Sequence, residues 1–117
     1  MPKLKPEIVI CTYRLKQGKE RQFFKLLATH WATLQKLRLV NEQPHLVFRG
    51  KDESKKTFFV EIFAWKSARA VVIAHESPAV LALWEPMEQF CENRLGRPAM
   101  EFPHVEPVRV RSSDVSA

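Results

Sequence analysis

A chain of 117 residues, 45% hydrophobic and 27% charged, has the size and composition of one soluble globular domain spanning residues 1–117, with its core over about residues 7–110, and leaves no room for a second. No apolar run reaches the length of a bilayer span, and the N-terminal MPKLKPEIVI lacks the apolar stretch and cleavage site of a signal peptide, so the cytoplasm is the expected location and no membrane partner is expected. The formal charge of +6 is concentrated in the first 50 residues without interleaved aromatics, a pattern that predicts a solvated basic face or an anionic small ligand and not nucleic acid.

Residues 7–15, EIVICTYRL, are β-branched and aromatic and read as the first strand. Gly18 breaks the pattern, and a helical segment follows over residues 19–39. At 100° per residue, Phe23, Leu27, Leu34 and Leu37 share one side, flanked by Phe24, Leu26 and Trp31, while Lys25, Thr29, Ala32 and Lys36 lie opposite. His30 falls near the middle of the apolar stripe. NEQPH reads as a connection, PHLVFRG as a short strand, KDESKK as a polar turn and TFFVEIFAW as the next strand, the two strands forming a hairpin. Alternation puts Phe58, Val60, Ile62 and Ala64 on one face of TFFVEIFAW and Phe59, Phe63 and Trp65 on the other, with the single carboxylate, Glu61, in the second set. A strand apolar on both faces is covered on both. The helices of so short a chain cover one face, so the other is expected to meet a second copy, making a homodimer.

SARAVVIAHE predicts a shorter helix. Ser77 as N-cap and Pro78 at the first helical position open another, running toward Asn93 with Val80, Trp84, Met87 and Cys91 inward, a bend or restart at Pro86 and an end at Gly96. Residues 99–110 read as extended, restricted by Pro103 and Pro107 to an edge or an arm, and SSDVSA as a frayed, flexible tail. The order strand, helix, strand, strand, helix pair, strand is α+β: the ferredoxin-like split βαβ arrangement, β-α-β-β-α-α-β, with an antiparallel sheet carrying helices on one face.

The first strand followed by RLKQGKERQFFKLL, and the hairpin ending EIFAWKSARAVVIAHESP, resemble the antibiotic biosynthesis monooxygenase-like family of dimeric α+β barrels over residues 7–110. The features that carry the resemblance are the Gly18 turn opening the first long helix, Trp65 closing the third strand, and AHESP before the last helix. The resemblance implies two sheets packed face to face with helices outside and a cavity between each protomer's helices and sheet. Some members of that family oxidise quinol-like or polyketide aromatics with molecular oxygen and no cofactor; others degrade haem. The haem-degrading branch is known for an Asn on the first strand, a Trp on the helix after the third strand and a His further along. An ungapped comparison anchored on Trp65 places Tyr13, Ala74 and Trp84 there, so that mechanism is not expected. Quinol-oxidising members often have a His beside the SP-like step; His75 is adjacent but offset by one, and Ala79 stands where a further His is frequent.

His30 has the pKa range of a general base for a phenol or quinol, and is otherwise a core histidine with one internal hydrogen bond. Glu61, if buried, must be protonated, paired or wet; His30 and Arg49 are its candidate partners, and an ion pair across the dimer interface is the alternative. If His30 and Glu61 meet, the carboxylate orients the imidazole as a catalytic dyad. Tyr13, Trp31, Phe63, Trp65, His75 and Trp84 are the candidate substrate-binding residues; the tryptophans serve equally as core, and His75 and Glu76 as a helix cap or surface. His45 and His104 lie beside prolines and are assigned no role. Cys11 and Cys91 read as buried free thiols. The spacing of metal ligands, a phosphate loop and a dinucleotide fingerprint are all missing, so neither metal nor cofactor is expected. The reading is a cofactor-independent monooxygenase-like enzyme oxidising a small electron-rich aromatic of quinol or polyketide type. The alternatives are a non-catalytic dimeric module for a small hydrophobic or anionic ligand, and a structural protein without one.

Overall fold

In a computed structural model that describes residues 5–116, the chain runs β1 (Glu7–Arg14), α1 (Glu20–Lys36), β2 (Val40–Lys51), β3 (Thr57–Trp65), α2 (Ala68–Glu76), α3 (Pro78–Gln89), β4 (Met100–Glu101) and β5 (His104–Val105), then a 3-10 turn at Ser112–Ser116. Every strand pairing is antiparallel, in the spatial order β2-β3-β1-β4, with β5 also against β1. This is the expected ferredoxin-like α+β arrangement, with the last strand split in two at Pro103. That proline has no N–H to give, yet its carbonyl still accepts from the Ile10 N–H at 3.0 Å.

Strand alternation sorts the side chains as the sequence predicts. Val9, Cys11 and Tyr13 of β1 and Phe59, Glu61, Phe63 and Trp65 of β3 are buried on the face that carries the helices. Ile8, Ile10, Phe58, Val60 and Ile62 on the opposite face are only half-buried, and beside them Leu46 and Phe48 of β2 remain 48% and 53% exposed. Helix α1 buries Phe23, Leu27, His30 and Leu34, a spacing of four, three and four residues that keeps one stripe on the sheet.

Leu37, expected in that stripe, lies outside it and is exposed. The helix stops at Lys36 because Arg38 takes a left-handed conformation (φ 58°), and the N–H groups of Arg38 and Leu39 return to the carbonyls of Gln35 and Leu34. This is a Schellman closure, with Leu39 buried behind it. NEQPH, expected as a connection, instead belongs to β2. The Gln43–Pro44 peptide is cis, and a register irregularity between Val40 and His45 accommodates the proline on an edge strand, where a lost ladder donor is tolerated.

Ser67 and Ser77 cap α2 and α3 by accepting from the N–H groups of Ala70 and Val80. Pro86, expected to bend or restart the last helix, sits inside a continuous α3 that ends at Gln89, short of Asn93. The chain is turned back there by hydrogen bonds to the end of β1, from the Lys16 N–H to Phe90 O and from the Glu92 N–H to Arg14 O, both 2.8 Å. Gly96 therefore closes no helix; with φ 74° it makes the tight turn between the bridged Arg94 and Arg97. Arg14, buried at the end of β1, donates to Pro98 O at 2.7 Å and Glu101 at 3.1 Å, which ties the C-terminal segment to the sheet. Within the tail, Ser112–Ser116 form the 3-10 turn, with the Arg111 N–H donating to Asp114 Oδ2, and Ala117 lies outside the described residues. Among the described residues no helix is long and apolar enough to cross a membrane.

Candidate active site

Glu61 stands at the middle of β3 and is fully buried. Its register partners are Cys11 on β1 and Val47 on β2, so its diagonal neighbours on the same face are Tyr13 and His45. Both reach it: the Tyr13 hydroxyl donates to Oε1 at 2.8 Å, and His45 Nε2 lies 3.1 Å from Oε2. From the helix above, His30 brings its Nδ1 to 3.8 Å from Oε1. Of the two partners expected for Glu61, His30 is thus at hand. Arg49 is not; it pairs with Glu20 at 2.6 Å on the exposed edge. The interface ion pair is also excluded, because Glu61 faces the helices and not the open side of the sheet.

His30 is held from its other side by α3. The Trp84 indole N–H donates to His30 Nε2 at 2.9 Å. An indole nitrogen only donates, so Nε2 carries the lone pair and the neutral ring holds its proton on Nδ1. That Nδ1 is buried and has no hydrogen-bond partner, with Glu61 Oε1 the nearby acceptor. Burial lowers the His30 pKa from 6.5; the Glu61 charge opposes this and His45 adds to it. Burial likewise pushes the Tyr13 phenol well above its ordinary 10, with the Glu61 charge adding to the effect, so Tyr13 stays a donor. Burial also raises the Cys11 thiol far above the usual thiol range and the Cys91 thiol to about 12, which leaves neither as a nucleophile.

A buried neutral histidine makes stability pH-dependent in one direction. With the folded-state pKa below the unfolded value of 6.5, the contribution is present above pH 6.5 and is lost as pH falls through that value toward the folded pKa. Wild-type protein should therefore lose more stability than His30→Leu between neutral and mildly acidic pH, measured as the difference in urea midpoints. Parallel losses in the two proteins would show that His30 is not the titrating group.

Next to this cluster, between the sheet, α2, α3 and the C-terminal segment, is a cavity of about 490 Å³. Tyr13, His30, Phe63, Trp65, His75 and Trp84 line it, six of the residues singled out from the sequence. The remaining walls are largely apolar, including Val9, Val71, Met87, Met100 and Phe102, with Glu88, Asn93 and His104 among the polar contributors. Among the described residues no lysine or arginine lines it. His75 donates from Nδ1 to Val71 O at 2.8 Å and sets its ring edge-on to Trp84 at 4.9 Å.

The other two residues singled out stand behind the wall. Glu61 does not line the cavity; Tyr13 and His30, which do, approach its carboxylate. Trp31, expected to touch substrate, stacks flat on His45 at 3.7 Å and 2° and fixes that ring against Glu61. His45 and His104, assigned no role from the sequence, take part: the first pairs with the carboxylate and the second lines the cavity. His45 lies within the strand read from PHLVFRG, but the face it shares with Glu61 is set by the register of β2 on β3, for which the sequence carries no signal. Among the described residues no group of three His, Cys, Asp or Glu side chains is placed to hold a metal ion.

An antiparallel sheet in the order β2-β3-β1-β4 with helices on one face is the α+β fold of the antibiotic biosynthesis monooxygenase-like proteins. The chain is similar to a variant of SnoaB, a cofactor-independent oxygenase from Streptomyces nogalater, at 13% identity and a TM-score of 0.68, over 92% of this chain and 97% of the other. It is also similar to a Pseudomonas aeruginosa protein at 13% identity and a TM-score of 0.69, covering 93% and 100% of the two chains. For a protein solved as an antibiotic biosynthesis monooxygenase the figures are 14%, 0.67, 88% and 99%. At such identities the likeness is one of fold. No family model and no curated protein matches the chain.

Proposed function

We propose that the chain is a cofactor-independent, monooxygenase-like enzyme that oxidises a small electron-rich aromatic of quinol or polyketide type and works as a homodimer. The observation that carries this reading is the placement of His30: an imidazole on the wall of an aromatic cavity with a buried carboxylate behind it. A substrate O–H or activated C–H gives its proton to His30 Nε2. The Nδ1–H then closes on Glu61, whose charge stabilises the imidazolium. The substrate anion is itself the reductant. A CH2 group oxidised to C=O keeps one atom of dioxygen and releases the other as water, so the four electrons come from substrate alone. Apolar walls keep water from the anion while it reacts. The fold likeness to SnoaB, described as a cofactor-independent oxygenase, supports this chemistry.

The test is oxygen consumption by chelator-treated protein against a panel of quinols, anthrones and naphthols. Uptake that disappears in His30→Ala supports the proposal. Saturable binding without uptake would make the chain a binding module for an apolar ligand; an anionic ligand would find no lysine or arginine among the described residues of the cavity wall.

The homodimer is supported by the open sheet face, where Ile8, Ile10, Phe58, Val60 and Ile62 lie beside the exposed Leu46 and Phe48. Light scattering is expected to give twice the chain mass. Phe48→Asp, which sets a charge on that apolar face, is expected to give monomer. A monomeric wild type would overturn the assembly.

A further inference from the structure

A base whose lone pair is already engaged cannot take a proton, and His30 Nε2 is engaged by the Trp84 indole at 2.9 Å. Trp84 is not locked away, however. It is half-buried and lines the same cavity as His30, so the hydrogen bond lies on the wall that a ligand would touch. On the far side of the ring, Nδ1 is buried without a partner and directed at Glu61 Oε1, 3.8 Å away. A core histidine held for stability alone would have this second nitrogen satisfied.

We infer that Trp84 is a displaceable latch on His30: its indole N–H holds the imidazole in the Nδ1–H tautomer, and the hydroxyl of a neutral aromatic substrate takes its place at Nε2. This deepens the proposed function and rests on it, by naming the substrate group that is recognised. A hydroxyl can stand in for the indole because it too donates to Nε2, and unlike the indole it can then release its proton there. The O–H bond breaks, the Nε2–H bond forms, and the negative charge stays on the substrate oxygen. The substrate enters uncharged, since among the described residues no lysine or arginine is on the wall, which carries the carboxylate of Glu88. The groups around the ring are Glu61 on β3, Tyr13 on β1, His45 on β2, and Trp84 and Phe63 in edge or tilted contact with it. Trp84 is a positioning residue in this scheme.

The experiment is nitrogen-15 NMR of His30 and of the Trp84 indole at mildly alkaline pH, in wild type and Trp84→Phe, with 1-naphthol as the probe. In wild type the Nδ1–H tautomer is expected. Titration of wild type with 1-naphthol should move the Trp84 indole N–H resonance upfield as its hydrogen bond is lost. Trp84→Phe should bind 1-naphthol roughly 2- to 10-fold more tightly, because no neutral hydrogen bond has to be broken first. An Nε2–H tautomer in wild type, an indole resonance unmoved by 1-naphthol, or weaker binding by Trp84→Phe would each overturn the latch. The wild-type readouts decide the matter even if the variant does not fold. None of these signals needs turnover. A displaced indole without oxygen uptake keeps the latch and removes only the oxygenase reading, and uptake with an unmoved indole does the reverse.

Discussion

On the proposed oxygenase reading, His30→Ala is expected to lower oxygen uptake by about 10²- to 10⁴-fold, the range that a positioned general base contributes, with the fold retained. The loss in stability should be smaller in His30→Leu than in His30→Ala, because alanine also leaves a void where the buried ring packed. Nδ1 already lacks a partner, so truncation breaks one hydrogen bond, the one from the Trp84 indole, worth about 1 kcal/mol. The indole left behind is half-buried at a cavity and can reach water. A large effect on rate beside a small effect on the urea midpoint is what separates a base from a packing residue. His30→Leu sharpens the contrast, since an apolar side chain in the stripe should be neutral or stabilising while turnover is still lost. Uptake within tenfold of wild type in both variants would remove His30 from the chemistry.

Glu61→Ala is expected to be the most damaging single change to stability, at about 3–5 kcal/mol. It strips the acceptor from the buried Tyr13 hydroxyl and the partner from His45, and leaves a void in the centre of β3. Against a typical total of about 5–15 kcal/mol this is a large share. Glu61→Gln should cost much less, because the amide oxygen can still accept from Tyr13 and the amide N–H can donate to His45. It removes the charge behind His30, so its turnover should fall while its fold persists. Denaturant curves on the two variants check this. An alanine variant within about 1 kcal/mol of wild type would mean that the buried carboxylate holds nothing together.

Much of this architecture was legible before any coordinates. Helical and strand periods are local properties, so the stripe of Phe23, Leu27, His30 and Leu34, the Ser77–Pro78 helix start and the assignment of Glu61 to the Phe59, Phe63 and Trp65 face all follow from neighbouring residues. The element order then leaves few ways to arrange the strands. The same reasoning failed where a local signal met a tertiary one. Gln43–Pro44 looks like a break, but an edge strand absorbs it through a register irregularity; Pro86 looks like a kink, but α3 runs through it.

Which groups meet was decided only by the tertiary structure. Tyr13 and Glu61 are 48 residues apart, Trp84 and His30 54, and His45 and Glu61 16, and no period links any of these pairs. Their contacts depend on the registers of β1 and β2 against β3, and on where α3 comes to rest over α1. Trp31 makes the same point within one turn of helix. It adjoins His30 in sequence, but about 100° of rotation carries it away from the cavity and onto His45. A residue's face is set by its neighbours in the chain. Its partner is set by a register that the whole sheet chooses at once, because a shift of a single residue would turn every buried side chain of a strand to the other side.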